Sequence, residues 1–108
     1  MKENRDFRRL YSKGKTAVDP MLAVYVRPNR LGQNRLGLTV GTKVGKAVCR
    51  NRVRRLLRES YRLQEDKLKT GLDLVVVARV RAGHATFWQI DAALKNLFHK
   101  LGLYKERV

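Results

Sequence analysis

The sequence predicts an α+β fold in which helices pack on one face of a single mixed β-sheet. Three observations predict it. Two segments alternate apolar and polar residues, a third is a continuous apolar run rich in valine, and two longer segments place apolar residues three and four apart. The predicted order of elements is α-β-β-β-α-β-α. A length of 108 residues is typical of one domain, so we assign residues 1–108 to a single domain.

The first half of the chain contains a predicted short helix and three predicted strands. Apolar residues share one face of residues 4–12, and Gly14 ends this helix. A short strand is predicted at Lys15–Val18. Residues 22–27 and Arg35–Val40 alternate, so each strand has one apolar and one polar face. The side chains predicted to face the helices are Leu22, Val24, Val26, Leu36, Leu38 and Val40.

The second half contains two long helices with a strand between them. Residues 46–63 are predicted to be helical, and residues 74–78 read as a strand covered on both faces, often a parallel one. Thr86 and Gln89 have the spacing of a capping box at the start of the last helix, which Gly102 ends. The apolar stripe predicted on the first long helix consists of Cys49, Val53, Leu56, Ser60 and Leu63, with Leu57 alongside.

Charge narrows the classes of partner. Lys and Arg number 25 and acidic residues 9, which gives a net charge of +16. An excess this large predicts a polyanionic partner, most often nucleic acid, with an anionic membrane surface as the weaker alternative. One cysteine excludes an intrachain disulfide, which fits a reducing compartment. The apolar runs are too short to span a bilayer and no secretory signal is visible, so we expect a cytoplasmic protein without membrane contact.

The stretch from residue 43 to residue 62 concentrates this charge. It carries eight basic residues and one acid, Glu59. The alternative is an ordinary solvated face, but such faces mix signs because like charges four residues apart repel. Arg54–Arg58 and Arg58–Arg62 are such pairs, and arginine suits bidentate phosphate contacts. We predict phosphate binding by Lys43, Lys46, Arg50, Asn51, Arg52, Arg54, Arg55, Arg58 and Arg62.

The polar side of the sheet predicts a second surface. Its alternation places small residues in the middle, basic residues at one end and one aromatic side chain, a pattern that suits a single strand with stacked bases and neutralised phosphates. Phe7 and Tyr11, one helical turn apart, could form a wall of this cleft. The alternatives are that Phe7 belongs to the core and that the tyrosines are merely half-buried. The predicted cleft residues are Phe7, Tyr11, Tyr25, Arg27, Arg35 and Thr39.

No protein active site is predicted. His84 and His99 are far apart in sequence, and neither a metal-ligand cluster nor a paired-carboxylate site is visible. Asp73 is expected to cap a strand end or to be solvated there. Cys49 lies on the packing stripe and is expected to be inert. We therefore predict no catalytic residue and no metal ligand in the protein.

The segment KVGKAVCRNRVRRLLRES resembles the signature helix of the bacterial ribonuclease P protein subunit. The family's Arg-Asn-Arg core corresponds to residues 50–52, followed here by Arg54, Arg55 and Arg58. The resemblance extends to Phe7 and Tyr11 in the first helix, and to the strands that contain Tyr25 and residues 37–40. It therefore covers nearly the whole chain.

The resemblance implies an RNA-binding domain and a role in tRNA maturation. Ribonuclease P removes the 5′ leader of precursor tRNA, and its catalytic subunit is an RNA that uses bound magnesium. The family's small protein binds that RNA through the signature helix and contacts the leader through a separate cleft. On this basis the protein alone is not expected to cleave RNA, to bind a cofactor or to need a protein partner. A left-handed β-α-β crossover is also expected.

Two other classes share the charge. A ribosomal protein or general RNA chaperone would bind RNA with no role in cleavage, and a self-sufficient nuclease would cleave by itself. The Arg-Asn-Arg helix together with an aromatic cleft favours the ribonucleoprotein subunit.

Overall fold

Four strands and two helices make up the computed structural model, which describes residues 14–105. The predicted helix at residues 4–12 lies outside the described residues. Three short 3-10 turns, at Thr42–Val44, Glu65–Lys67 and Val80–His84, connect the main elements. The main elements are β1 (Lys15–Val18), β2 (Leu22–Pro28), β3 (Arg35–Val40), α1 (Ala47–Gln64), β4 (Leu72–Ala78) and α2 (Phe87–Lys100).

The strands form one mixed sheet in the order β1-β2-β4-β3. β1 pairs antiparallel with β2, and β2 pairs antiparallel with β4. β3 and β4 are parallel neighbours joined through α1, so they form a β-α-β unit. The valine-rich strand β4 therefore has a parallel and an antiparallel neighbour. The α+β prediction is confirmed, whereas the left-handed sense of the crossover stays a prediction.

The core lies between the sheet and the two helices, as the alternation of β2 and β3 predicts. Four of the six predicted core positions on these strands are buried, and the other two, Leu36 and Leu38, are partly buried against the same cluster. From the helices, Val53, Leu57 and Phe98 are fully buried. Each such side chain contributes about 1.5–3 kcal/mol through its removal from water. Both helices therefore pack on one sheet face and leave the other face uncovered by them.

The buried stripe of α1 differs from the predicted stripe in its last turn. Val53, Leu56, Leu57 and Ser60 are buried as predicted, but Leu63 is 61% exposed. Tyr61 and Gln64 are buried instead. The last turn of α1 is covered by the segment that follows α2, where the Tyr104 hydroxyl donates to Gln64 Oε1. At this end α1 packs on the segment after α2 rather than on the sheet.

The two helices are fixed to each other by polar contacts as well as by the core. The Ser60 hydroxyl donates to Asp91 Oδ1 over 2.7 Å between two buried side chains.

The capping box of α2 is confirmed, since Thr86 Oγ1 accepts from the Gln89 N–H and Gln89 Oε1 accepts from the Thr86 N–H. Among residues 14–105, no helix has the length and apolar character needed to cross a membrane.

Candidate nucleic-acid interface

One side of α1 carries a basic surface that points away from the core. We call it the arginine face, and it comprises Asn51, Arg54, Arg55, Arg58 and Arg62. All are exposed except Arg54, which is half-buried. Glu59 is the one acid on α1. Because the apolar side of α1 is occupied by the sheet and α2, the structure brings four of the predicted arginines together on the surface.

Three of the predicted phosphate ligands, including Arg54 of the arginine face, are half-buried. Arg54 donates to Asn51 Oδ1 over 3.1 Å and approaches the Val40 carbonyl oxygen at 3.5 Å. Arg52 donates from Nη2 to the Ala85 carbonyl oxygen over 2.9 Å. Arg50 is half-buried, and its Nε has no hydrogen-bond partner among the described residues. The guanidinium groups of Arg52 and Arg54 are therefore restrained by hydrogen bonds within the protein.

The basic lead-in to α1 is held by close backbone packing. Lys43 and Lys46 are exposed, one in the first 3-10 turn and one at the N-cap of α1. A Cβ atom at Gly83 would lie 2.5 Å from the Val44 carbonyl oxygen, so only glycine lets the two 3-10 turns approach this closely. The Cys49 thiol also contacts the Gly83 carbonyl oxygen at 3.3 Å, and Cys49 is half-buried.

The sheet face turned away from the helices has β4 through its middle, which the alternation of single strands did not reveal. The register pairs Tyr25 with Val75 and Val75 with Gly37 in one row. A neighbouring row pairs Val77 with Thr39, which is exposed. We call this surface the second sheet face. Its residues in the described part of the chain include Ala23, Tyr25, Arg27, Arg35, Gly37, Thr39, Asp73, Val75 and Val77, of which Ala23, Asp73 and Val75 are buried. Phe7 and Tyr11, predicted to form a wall here, lie outside the described residues.

Asp73 changes the electrostatics of the second sheet face. Arg35 donates to it from Nε over 2.7 Å and from Nη2 over 2.6 Å, and Asn29 donates over 2.9 Å. These hydrogen bonds, that of Arg35 foremost, hold the pKa of Asp73 below its usual value against the opposing effect of burial. Asp73 is 2% exposed, so its predicted place at a solvated strand end is wrong. Its partner Arg27 lies opposite on β2, and the basic end of this face thus contains a carboxylate.

Groups suited to metal or acid–base chemistry do not gather in residues 14–105. No three His, Cys, Asp or Glu side chains of this region are placed to hold a metal ion. His84 belongs to the last 3-10 turn and His99 to the end of α2, and both are exposed.

Comparison with known proteins assigns the family. Residues 1–102 match the family model described as Ribonuclease P. The chain belongs to the ribonuclease P protein family. The ribonuclease P protein component of Alkaliphilus metalliredigens is 45% identical over 103 residues, which cover 95% of this chain and 93% of that protein. That of Clostridium kluyveri is also 45% identical, over 97% of this chain and 96% of its own length.

The fold agrees with the family. The structure of the ribonuclease P protein of Staphylococcus aureus superposes with a TM-score of 0.88, at 31% sequence identity, and covers 97% of this chain and 96% of that chain. As a ribonuclease P protein, the chain is a component of a ribonucleoprotein endonuclease that processes tRNA, and its partner is an RNA.

Proposed function

We propose that this ribonuclease P protein binds the catalytic RNA subunit through the arginine face and the 5′ leader of precursor tRNA through the second sheet face. The observation that carries the proposal is the arginine face itself. Four arginines project from one side of a rigid helix whose other side is buried. The RNA subunit, with bound magnesium, performs the cleavage, and the protein assists it.

Electrostatics supports the first contact. Arg54 and Arg58 are one turn apart, as are Arg58 and Arg62, and like charges at this spacing destabilise a helix in the absence of a partner. Phosphate groups remove this repulsion, and a guanidinium group can bind two phosphate oxygens at once. Lys43, Lys46, Arg50 and Arg52 extend the same contact around the start of α1.

The leader contact is supported by the shape and chemistry of the second sheet face. Tyr25 is half-buried on β2, and Gly37 lies in the same row two strands away. Stacking on aromatic rings tolerates any base sequence, which suits leaders of differing sequence. Arg27 supplies positive charge, whereas Arg35 supplies less because Asp73 pairs with it.

The division of chemistry between protein and RNA completes the proposal. The described residues offer binding surfaces, and the RNA subunit would hold the magnesium and activate the attacking water. The protein alone would then not cleave precursor tRNA, and no second protein would be needed. We also propose that it acts in the cytoplasm.

Three parallel reactions test the proposal: precursor tRNA with the protein alone, with the catalytic RNA alone, and with both, at low magnesium. We expect cleavage by both together to exceed that by either one, and no cleavage by the protein alone. Equal cleavage with and without the protein would indicate a general RNA-binding protein. Cleavage by the protein alone would indicate a self-sufficient nuclease.

A further inference from the structure

A cavity of about 830 Å³ lies where the ends of α1 and α2 meet the segment that follows α2. It is distinct from both surfaces described above, because its lining comes from the last turns of the two helices, the 3-10 turn after α1 and residues 104–105. Its volume falls in the range of about 300–1,000 Å³ that small-ligand sites occupy. Neither the arginine face nor the second sheet face contributes to its lining.

Two lysines that line this cavity lie on neighbouring backbone segments. Leu68 and Tyr104 form an antiparallel bridge, in which the Lys105 N–H donates to the Lys67 carbonyl oxygen over 2.9 Å. Lys67 and Lys105 are therefore directly opposite each other, and both line the cavity. Like charges in this arrangement are unfavourable. Within residues 14–105 neither lysine forms a salt bridge, so an anion between them would relieve the repulsion.

The rest of the lining combines more basic charge with apolar surface. Lys95 and His99 approach from α2; Lys95 is paired with Asp91 at 2.8 Å, but its side chain is still 56% exposed. Asp66 is the one acid among the lining residues. Leu63, exposed by 61%, and Tyr104 supply apolar surface that a flat nucleobase could cover.

We propose that this cavity binds a short segment of single-stranded RNA, with a phosphate between Lys67 and Lys105 and a base against Leu63 and Tyr104. A phosphate alone would not need the apolar surface, and an apolar ligand would not need the lysines. The proposal rests on the proposed function in that its partner is RNA, but it adds a third contact that does not depend on the arginine face.

The test uses the full chain carrying Arg54→Ala, Arg58→Ala and Tyr25→Ala, which weakens binding at the arginine face and at the second sheet face. This isotopically labelled protein is titrated with a single-stranded RNA of about eight nucleotides, within the size range of single-strand-binding sites. We expect saturable shifts of the NMR signals of Lys67, His99 and Lys105. Adding Lys67→Gln/Lys105→Gln should weaken this binding roughly tenfold and reduce its salt slope by about 0.7 per lost phosphate contact.

The matched control is Lys69→Gln/Lys100→Gln, which removes the same charge from two exposed lysines outside the cavity lining and should leave the affinity within roughly twofold. Unchanged signals at the cavity, or equal weakening by both pairs, would overturn the proposal. So would saturation by inorganic phosphate at the same affinity, since this would indicate a simple anion site. Failure of the arginine face appears separately, as unchanged assembly of the Arg54→Ala/Arg58→Ala variant with the catalytic RNA.

Discussion

The arginine face and the second sheet face are both basic, but they differ in how much of their charge is neutralised within the protein. On α1, six arginines, four of them on the arginine face, share the helix with one acid, Glu59. On the sheet, Arg35 forms two hydrogen bonds with the buried carboxylate of Asp73, and Asn29 adds a third. One surface thus leaves its charge for a partner to neutralise, and the other neutralises part of its charge within the fold.

This difference indicates two modes of RNA binding. Open arginines favour contacts to the phosphate backbone, whose strength falls steeply as salt rises. A surface with a paired arginine, small residues and one tyrosine ring depends more on stacking and shape, which respond less to salt. Variants that affect one surface and not the other can therefore test the comparison. A variant of the core, which lies between the two surfaces, comes first.

The largest effect is expected from Leu57→Ala. Leu57 projects from α1 into the core and is fully buried, so its truncation should lower the free energy of unfolding by about 2–5 kcal/mol. Arg58→Ala, one residue further along, is the control and should change it by no more than about 0.5 kcal/mol. Urea denaturation measures both. Similar losses in the two variants would show that the arginine face also supports the fold.

The second effect concerns assembly with the catalytic RNA. Arg54→Ala/Arg58→Ala should weaken assembly and reduce the slope of log affinity against log salt by about 0.7–0.9 per lost phosphate contact. Filter binding over a range of salt concentrations gives the slope. If affinity and slope both stay at wild-type values, the arginine face does not bind the RNA subunit. Leader discrimination, measured with the assembled enzyme at saturating protein, should be unaffected.

Tyr25→Ala tests the second sheet face. Loss of a base stack should cost about 1–3 kcal/mol in binding of precursor tRNA, with little change in binding of mature tRNA. Tyr25→Phe is the matched control, because it keeps the ring and should keep most of the preference. Equilibrium binding of the assembled enzyme to both tRNAs measures it. A mutant that keeps the full preference, or that fails to assemble with the RNA subunit, would contradict the assignment of this face.

The smallest effect is expected for the stability of Asp73→Asn at acidic pH. Because the pKa of folded Asp73 is lowered, its ionised form stabilises the protein above its unfolded pKa of about 3.9, and this contribution is lost as pH falls through the lower folded value. Asp73→Asn should therefore lose less stability than wild type between about pH 4 and pH 2. Urea denaturation at each pH measures it, with Asp66→Asn as the control for loss of an exposed carboxylate. Parallel curves for wild type and Asp73→Asn would contradict the role of the Arg35 pair.

Local patterns predicted the elements well because each pattern reports one element at a time. The strand at Arg35–Val40 has the predicted bounds, and Thr86 with Gln89 forms the predicted capping box. The failures concern contacts between distant segments. Asp73 meets Arg35 across 38 positions of sequence, and Leu63 is exposed because a later segment covers the opposite side of that turn. No periodicity within one helix or strand contains such information.

The candidate RNA-binding residues were also predicted only where a local pattern determines their position. The arginines that point outward follow from the helical period, so Arg55, Arg58 and Arg62 are exposed as that period requires. The inward bond of Arg52 to the Ala85 carbonyl oxygen depends on where α2 begins in space. The cavity between the two helix ends has the same origin, because its lysines come from segments 38 residues apart that meet only in the folded chain.

The central position of β4 has a consequence for how the protein forms during synthesis. β4 lies between β2 and β3 and pairs with both. The β1–β2 hairpin and β3 therefore cannot join into one sheet until residues 72–78 have left the ribosome. The arginines of α1 emerge before that moment, on a helix whose apolar side still lacks much of its sheet. Pairing between segments distant in sequence is slow. A nascent chain would therefore expose its most basic segment to ribosomal RNA before it could fold, and we expect α1 to become protected from hydrogen exchange only after β4 has paired.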